Sequence, residues 1–158
     1  MNKKAINIRR FKKSDRPAVN ELLQTFHNYT KVNVLDEKTA LILAFPPYVN
    51  IVPLVATAIE NNKEIVVGFG MFVFYPLPDK SGHVGKFEDI VVNSNYHRCG
   101  IAEEICKKFI SFAEMRGIKQ IELTCDKNRV PAHKLYEKLG FVNRDTIVKV
   151  LKLEKGES

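Results

Sequence analysis

The residues from Glu88 to Phe109 have the types and spacing needed to hold an anion. Glu88-Asp89-Ile90-Val91-Val92 reads as a β-branched strand, and Asn93-Ser94-Asn95-Tyr96 and His97-Arg98-Cys99 form a short basic loop. Gly100-Ile101-Ala102 then opens an amphipathic helix. The first N–H groups of a helix have no internal partner, and the helix dipole places partial positive charge there. Gly100 removes the side chain that would block close approach, and Ala102 keeps the first turn slim. His97 and Arg98 add donors beside them. The pattern predicts a site for a phosphate or pyrophosphate.

The surrounding elements follow from periodicity and punctuation. Ala5 to Arg10 alternates as a first strand, and Ser14-Asp15-Arg16-Pro17 starts a helix with apolar positions Val19, Leu22, Leu23 and Phe26, and His27 beside them. Asp36 to Ala44 reads as a second helix, and Tyr48 to Asn61 as another with Pro53 early in it. Strands are expected at Glu64 to Gly68, Gly70 to Tyr75 and His83 to Val92. The helix from Gly100 to Arg116 presents Ile101, Ala102, Ile105, Phe109, Phe112 and Ala113 on one face and pairs Glu103 with Lys107 on the other. Gly117 stops it, and Ile118 to Cys125 is the next strand. Asn128 is placed to cap a helix ending at Leu139-Gly140, before final strands at Phe141 to Asn143 and Ile147 to Leu153. The expected class is α/β (α+β): a mixed, mostly antiparallel central sheet with helices on both faces. No repeat or linker interrupts residues 1–158, so one domain is expected.

Composition narrows the function. Hydrophobic residues make up 45% of the chain, enough for a core, and no apolar run reaches the ~18–20 residues of a membrane helix. The start lacks an apolar signal core, and Cys99, Cys106 and Cys125 form no C-x-x-C pair, so a cytoplasmic protein with reduced thiols is expected. Cysteines and histidines show no metal-ligand spacing. The net charge of +7 is spread along the chain without an arginine-rich tail or an aromatic-interleaved basic stripe. It fits one anionic ligand and solubility better than nucleic acid or a membrane.

Two motifs together resemble the GNAT superfamily of acyl-CoA-dependent N-acetyltransferases. Its acetyl-CoA motif, Gln/Arg-x-x-Gly-x-Gly/Ala after a strand of the kind Glu-x-Val-x-Val, is matched by His97-Arg98-Cys99-Gly100-Ile101-Ala102 after Glu88 to Val92. Its closing Asn-x-x-Ala-x-x-Leu/Phe-Tyr-x-x-x-Gly-Phe is matched from Arg129 through Ala132, Leu135 and Tyr136 to Gly140-Phe141. His97 replaces the usual Gln or Arg. Arg129 stands where Asn is usual, with Asn128 one step earlier. Glu88 to Tyr96 is most similar to the glucosamine-phosphate branch, and Arg129 to Tyr136 to small-amine branches including aminoalkylphosphonate acetyltransferases.

The resemblance implies acetyl-CoA as co-substrate and direct transfer of acetyl to a primary amine. The acceptor would be a small molecule: an amino sugar, polyamine, aminophosphonate or antibiotic. Protein lysines or N-termini, and a non-catalytic CoA-binding module, are the competing readings. Glu88 is the implied base, directly or through water, and Tyr136 the implied acid for the leaving thiolate. Strict alternation sets Glu88 in line with Ile90 and Val92 and turns Asp89 to the other face; a bulge would change this. Ile90, Val91 and Val92 would offer backbone groups to the pantetheine arm. His97, Arg98, Cys99, Gly100, Ile101 and Ala102 would hold the pyrophosphate, with Asn128 and Lys134 also reaching the cofactor. His133 reads as a surface or packing residue. Residues between Phe26 and Tyr48 would line the acceptor pocket, and Ile147 to Leu153 offers an edge for a homodimer.

Overall fold

The computed structural model describes residues 5–27, 35–45, 50–77 and 82–151. They divide into two compact units, one ending at Thr124 and one beginning at Cys125. The first holds strands β1 (Ile6–Arg10), β2 (Ile51–Glu60), β3 (Lys63–Leu77), β4 (Gly82–Val92) and β5 (Gln120–Glu122), with helices α1 (Arg16–His27), α2 (Glu37–Ala44) and α3 (Ile101–Met115). The strands lie in chain order in one sheet. All neighbours are antiparallel except β4 and β5, which the α3 crossover makes parallel. This is the expected mixed, mostly antiparallel sheet, with helices on both faces.

Residues 51–60 correct the helix expected over Tyr48 to Asn61; residues 48 and 49 of that range lie outside the described residues. A continuous apolar run suits a doubly covered strand as well as a buried helix. Ile51, Val52, Val55, Thr57 and Ile59 are β-branched and favour extended backbone. Pro53 fits because its carbonyl, and so its missing N–H, faces β1 beyond the last Arg10–Leu54 pair; the carbonyl accepts from Phe11 N–H at 3.2 Å. The strands expected at Glu64–Gly68 and Gly70–Tyr75 are one continuous β3. Asn61 and Asn62, at φ +48° and +60°, make the tight turn that leads into it.

Alternation along β3 separates two cores. Phe69 turns toward Phe11, Val19, Leu22, Leu23, Ala40 and Leu43, the α1 and α2 side. Phe72 turns toward α3, where its ring stacks on Phe109 at 5.7 Å and meets Phe87 edge-on at 5.9 Å. Glycines make room for this layer. A Cβ on Gly70 would lie 2.9 Å from Ile105, and one on Gly85 would lie 2.2 Å from the Phe72 ring. The start of α1 is fastened to the sheet by Arg9, whose guanidinium grips buried Asp15 at 2.7 and 2.9 Å and reaches Glu64 at 3.2 Å. Ser14-Asp15 accordingly lies in a short 3-10 turn, Lys13–Asp15, before α1 rather than in its first turn.

In the second unit, α4 spans Val130–Lys138 and Gly140 ends it at φ +89°. The expected Asn128 cap is corrected: Arg129 occupies the cap position without a side-chain bond, and Asn128 N–H instead donates to Asp126 Oδ1 at 2.8 Å. The strands expected at Phe141–Asn143 and Ile147–Leu153 are not formed over the described residues, which end at Leu151. Ile118–Cys125 shrinks to three residues. Alternating β-branched residues make a strand only where a neighbour completes the ladder.

Gly85→Ala is expected to destabilise the fold by about 1–3 kcal/mol, because Phe72 is fully buried among rings that cannot give way. Urea unfolding followed by circular dichroism measures it; an unchanged midpoint would show that the ring relocates freely.

Candidate active site

The site begins with an irregularity in β4. Phe69 pairs with Val91 and Met71 with Glu88, so two residues of β4, Asp89 and Ile90, oppose Gly70 alone. Asp89 takes φ +52°, the left-handed conformation that admits the extra residue. The bulge resets alternation. Phe87 meets Phe109 of α3, and Ile90 and Val92 turn to the same side, toward Gly70 and Gly68. Glu88 and Val91 share the opposite side, with Met71 and Phe69. Glu88 is therefore not in line with Ile90 and Val92.

Lys86 lies two residues earlier on the Glu88 side, and its Nζ is 2.6 Å from Glu88 Oε1. Both side chains are about one-third exposed (34% and 32%). The hydrogen bond to Glu88 holds the Lys86 ammonium above the usual lysine range; burial opposes it, and the charges of Glu88, Tyr75 and Glu122 assist. Lys86 was not legible as a site residue in the sequence, since an isolated strand lysine reads as solvated. The i,i+2 spacing to Glu88 was the available signal. The β4–β5 ladder ends at the Lys86–Glu122 pair.

The loop after β4 is built from backbone hydrogen bonds. Asn93 N–H donates to Val67 O at 2.9 Å, and Asn93 Oδ1 accepts from Asn95 N–H at 2.9 Å, starting the 3-10 turn Ser94–Tyr96. The His97 ring reaches back to Val92 O at 2.9 Å. A carbonyl only accepts, so Nε2 carries the proton and donates, and Nδ1 remains the ring's other nitrogen. Arg98 sits at φ +61°, which costs a non-glycine residue about 1–2 kcal/mol. Gly100, at φ +80°, caps α3, and nothing lies within 4 Å of where its Cβ would be. Gly100 O accepts from Glu104 N–H at 3.0 Å, while the N–H groups of Ile101, Ala102 and Glu103 precede the first intrahelical bond. Glu103 and Glu104 lie in this turn, and Lys107 takes both, at 2.9 and 3.3 Å. Their negative charge is thereby offset one turn from the cradle.

Cys99 is exposed in the loop, its Sγ 3.6 Å from His97 O. Cys106 is buried under α3, and burial pushes its thiol up to about 12. In the second unit, Asp126 O accepts from Arg129 N–H at 3.0 Å and from His133 Nε2–H at 3.0 Å. His133 thus ties its helix to the turn that carries Asn128, a role its place in the sequence did not disclose. Lys134 follows it in α4. Tyr136 packs its ring edge-on against Phe141 at 5.8 Å, and its carbonyl accepts from Phe141 N–H at 2.9 Å. Of the expected acceptor-pocket residues, 28–34 and 46–48 lie outside the described residues, as do the side chains of Phe26 and His27.

A sheet in chain order, bulged at its fourth strand and followed by free amides at a helix start, is the arrangement that places the chain in its family. The chain belongs to the acetyltransferase (GNAT) family, whose model matches residues 18–141. It is 33% identical over 88 residues to glucosamine 6-phosphate N-acetyltransferase 1 of Dictyostelium discoideum, covering 56% of this chain and 54% of that protein. It is 35% identical over 63 residues to N-acetylaspartate synthetase of Xenopus tropicalis, covering 40% of this chain and 23% of that protein. The chain thus spans between a quarter and about half the length of these relatives. The structure of glucosamine-6-phosphate N-acetyltransferase from Arabidopsis thaliana superposes with a TM-score of 0.74 at 19% identity, over 94% of this chain and 99% of that one. At that identity the likeness shows the fold.

Iodoacetamide at pH 8 is expected to label Cys99 in the native protein and Cys106 only after unfolding, because Cys106 is buried and keeps its proton far above that pH. Peptide mass spectrometry reads this out. Native labelling of Cys106 would show that α3 lifts from the sheet.

Proposed function

We propose that the protein transfers acetyl from acetyl-CoA directly to a primary amine of a small molecule. The observation that carries this reading is the end of the β4–β5 ladder at Lys86, followed along the chain by the bulge at Asp89 and the amide cradle at Gly100. A thioester arm and a pyrophosphate need those features in that order. Acetyl-CoA, when bound, supplies the activated acyl group. Ile90, Val91 and Val92 offer it backbone groups. Arg98, Cys99, Gly100, Ile101 and Ala102 hold the pyrophosphate chiefly through N–H groups, with the arginine charge added. His97 fastens the loop to Val92 and contributes at most its second nitrogen. Asn128 and Lys134 complete the cofactor contacts.

Glu88 accepts the proton of the incoming ammonium, directly or through water, and Lys86 beside it keeps the carboxylate oriented. Tyr136 returns a proton to the departing thiolate; a tyrosine phenol ordinarily titrates near ~10 and so holds a proton to donate at neutral pH. The substrate class fits relatives named for glucosamine 6-phosphate and N-acetylaspartate. An acceptor of that kind carries an amine beside an anionic group, and the basic balance of +7 favours its approach.

Calorimetric titration with acetyl-CoA at moderate salt, with ATP as the anionic control, tests the cofactor. Saturable binding well above the control is expected, followed by CoA release with a member of an amine panel including glucosamine 6-phosphate. Equal, weak binding of both would overturn the reading. Tyr136→Phe should lower kcat by about 10²-fold or more while acetyl-CoA affinity stays within about twofold; an unchanged kcat removes Tyr136 from the acid role. Gly100→Val should abolish acetyl-CoA binding, since a β-branched residue does not tolerate φ +80° and its side chain fills the cradle. Normal binding by that variant would move the pyrophosphate elsewhere.

A further inference from the structure

Tyr96 stands immediately before the His97–Ala102 cradle, and its phenol has a use that packing does not explain. The ring is buried (4% exposed), yet the hydroxyl donates to Glu60 Oε1, 36 residues earlier in the chain. Glu60 is the last residue of β2, paired with Lys63 across the Asn61-Asn62 turn. Two consecutive left-handed asparagines fix that turn, so the carboxylate projects from a rigid hairpin end. Asn93 N–H to Val67 O is a further anchor of the loop, beside the His97 ring on Val92 O. Val67 is itself the extra residue where β3 bulges against Ala56 and Thr57. The bond from Asn93 holds the start of the loop, and the bond from Tyr96 holds its end. The second is made by two side chains, far apart in the chain.

A carboxylate is a costly neighbour for a phosphate-binding loop, because its charge opposes the ligand's. A phenol donating to it forms a charge-assisted hydrogen bond, roughly twice as strong as a neutral one. We propose that Tyr96 and Glu60 form a latch that holds the cradle in its anion-binding position, making both positioning residues for CoA. The proposal rests on the acetyl-CoA reading above. With the latch made, Arg98 is kept at its left-handed φ and the amides of Gly100 to Ala102 point at one place. With it broken, the loop loses its fastening to the end of β2 and relaxes, and CoA must order it on binding.

The test is calorimetry with CoA on the wild type, Tyr96→Phe, Glu60→Ala, Glu60→Gln and the Tyr96→Phe/Glu60→Ala double variant. Phe keeps the buried ring, and Glu60 is only half-buried, so the variants retain the core. Tyr96→Phe and Glu60→Ala are each expected to raise the CoA Kd about threefold to tenfold, the range of one lost hydrogen bond. The double variant should be no weaker than either single one, because both remove the same bond. Glu60→Gln, whose amide oxygen still accepts, should restore the Kd to within about twofold. Hydrogen exchange over residues 93–102 should quicken in Tyr96→Phe and not in Glu60→Gln. Normal CoA binding by the wild type with an unchanged Kd in Tyr96→Phe overturns the latch alone, as do additive losses in the double variant. Absence of CoA binding by the wild type overturns the acetyl-CoA reading, and the latch with it.

Discussion

A single left-handed residue, Asp89, organises the centre of this protein. Because a strand alternates faces with period two, one inserted residue exchanges the faces of everything beyond it. Glu88 stays on the α1 and α2 side while Ile90 and Val92 turn toward α3. Glu88, the proposed base, keeps the place beside Lys86 that alternation gives it, and the bulge lets Val91 fill the same core as Phe69. Without the bulge Val91 would leave that core and Ile90 would replace it. The fold tolerates the left-handed residue because the ladder on either side of it is anchored by buried Phe87 and Val91.

The proposed anion cradle depends on a second set of unusual dihedrals. Arg98 and Gly100 both sit at positive φ, and the hydrogen bonds of Asn93, Asn95 and His97 hold the backbone around them. Strain of this kind persists only where the surroundings over-determine it. Helix α3 provides the ground beneath it. Its Ile105 and Phe109 rest on Gly70, and Phe109 stacks on Phe72, which occupies the hollow over Gly85. The phenylalanine layer therefore sets the height and direction of the helix whose first amides form the cradle.

Charge is distributed to suit this arrangement. The two glutamates in the first turn of α3 favour the helix dipole, and Lys107 balances both. On the other face, Arg9 joins β1 to the start of α1 through buried Asp15, which keeps that helix packed on the side that Glu88 faces. The local ion pairs thus support the two walls around β4, while the net excess of lysine and arginine lies along the chain at large.

Much of this was legible in the residues themselves. The strand–loop–helix run from Glu88, the glycine at the start of α3, the helix over Asp36 to Ala44, and the mixed sheet class all rest on local chemistry: β-branching, helical periodicity and glycine dihedrals act within a few residues. The run from Ile51 to Glu60 was not legible, because its apolar periodicity suits a buried helix as well as a strand flanked on both sides, and only β1 and β3 decide between them. The face of Ile90 and the reach of Tyr96 to Glu60 were equally hidden. Each depends on a register between distant strands or on a bulge, which no short window of residues contains. The types of group available to the site were thus determined by the sequence alone. Which of them meet was decided by the tertiary structure, because hydrogen-bond ladders and ring packing join residues that the chain keeps far apart.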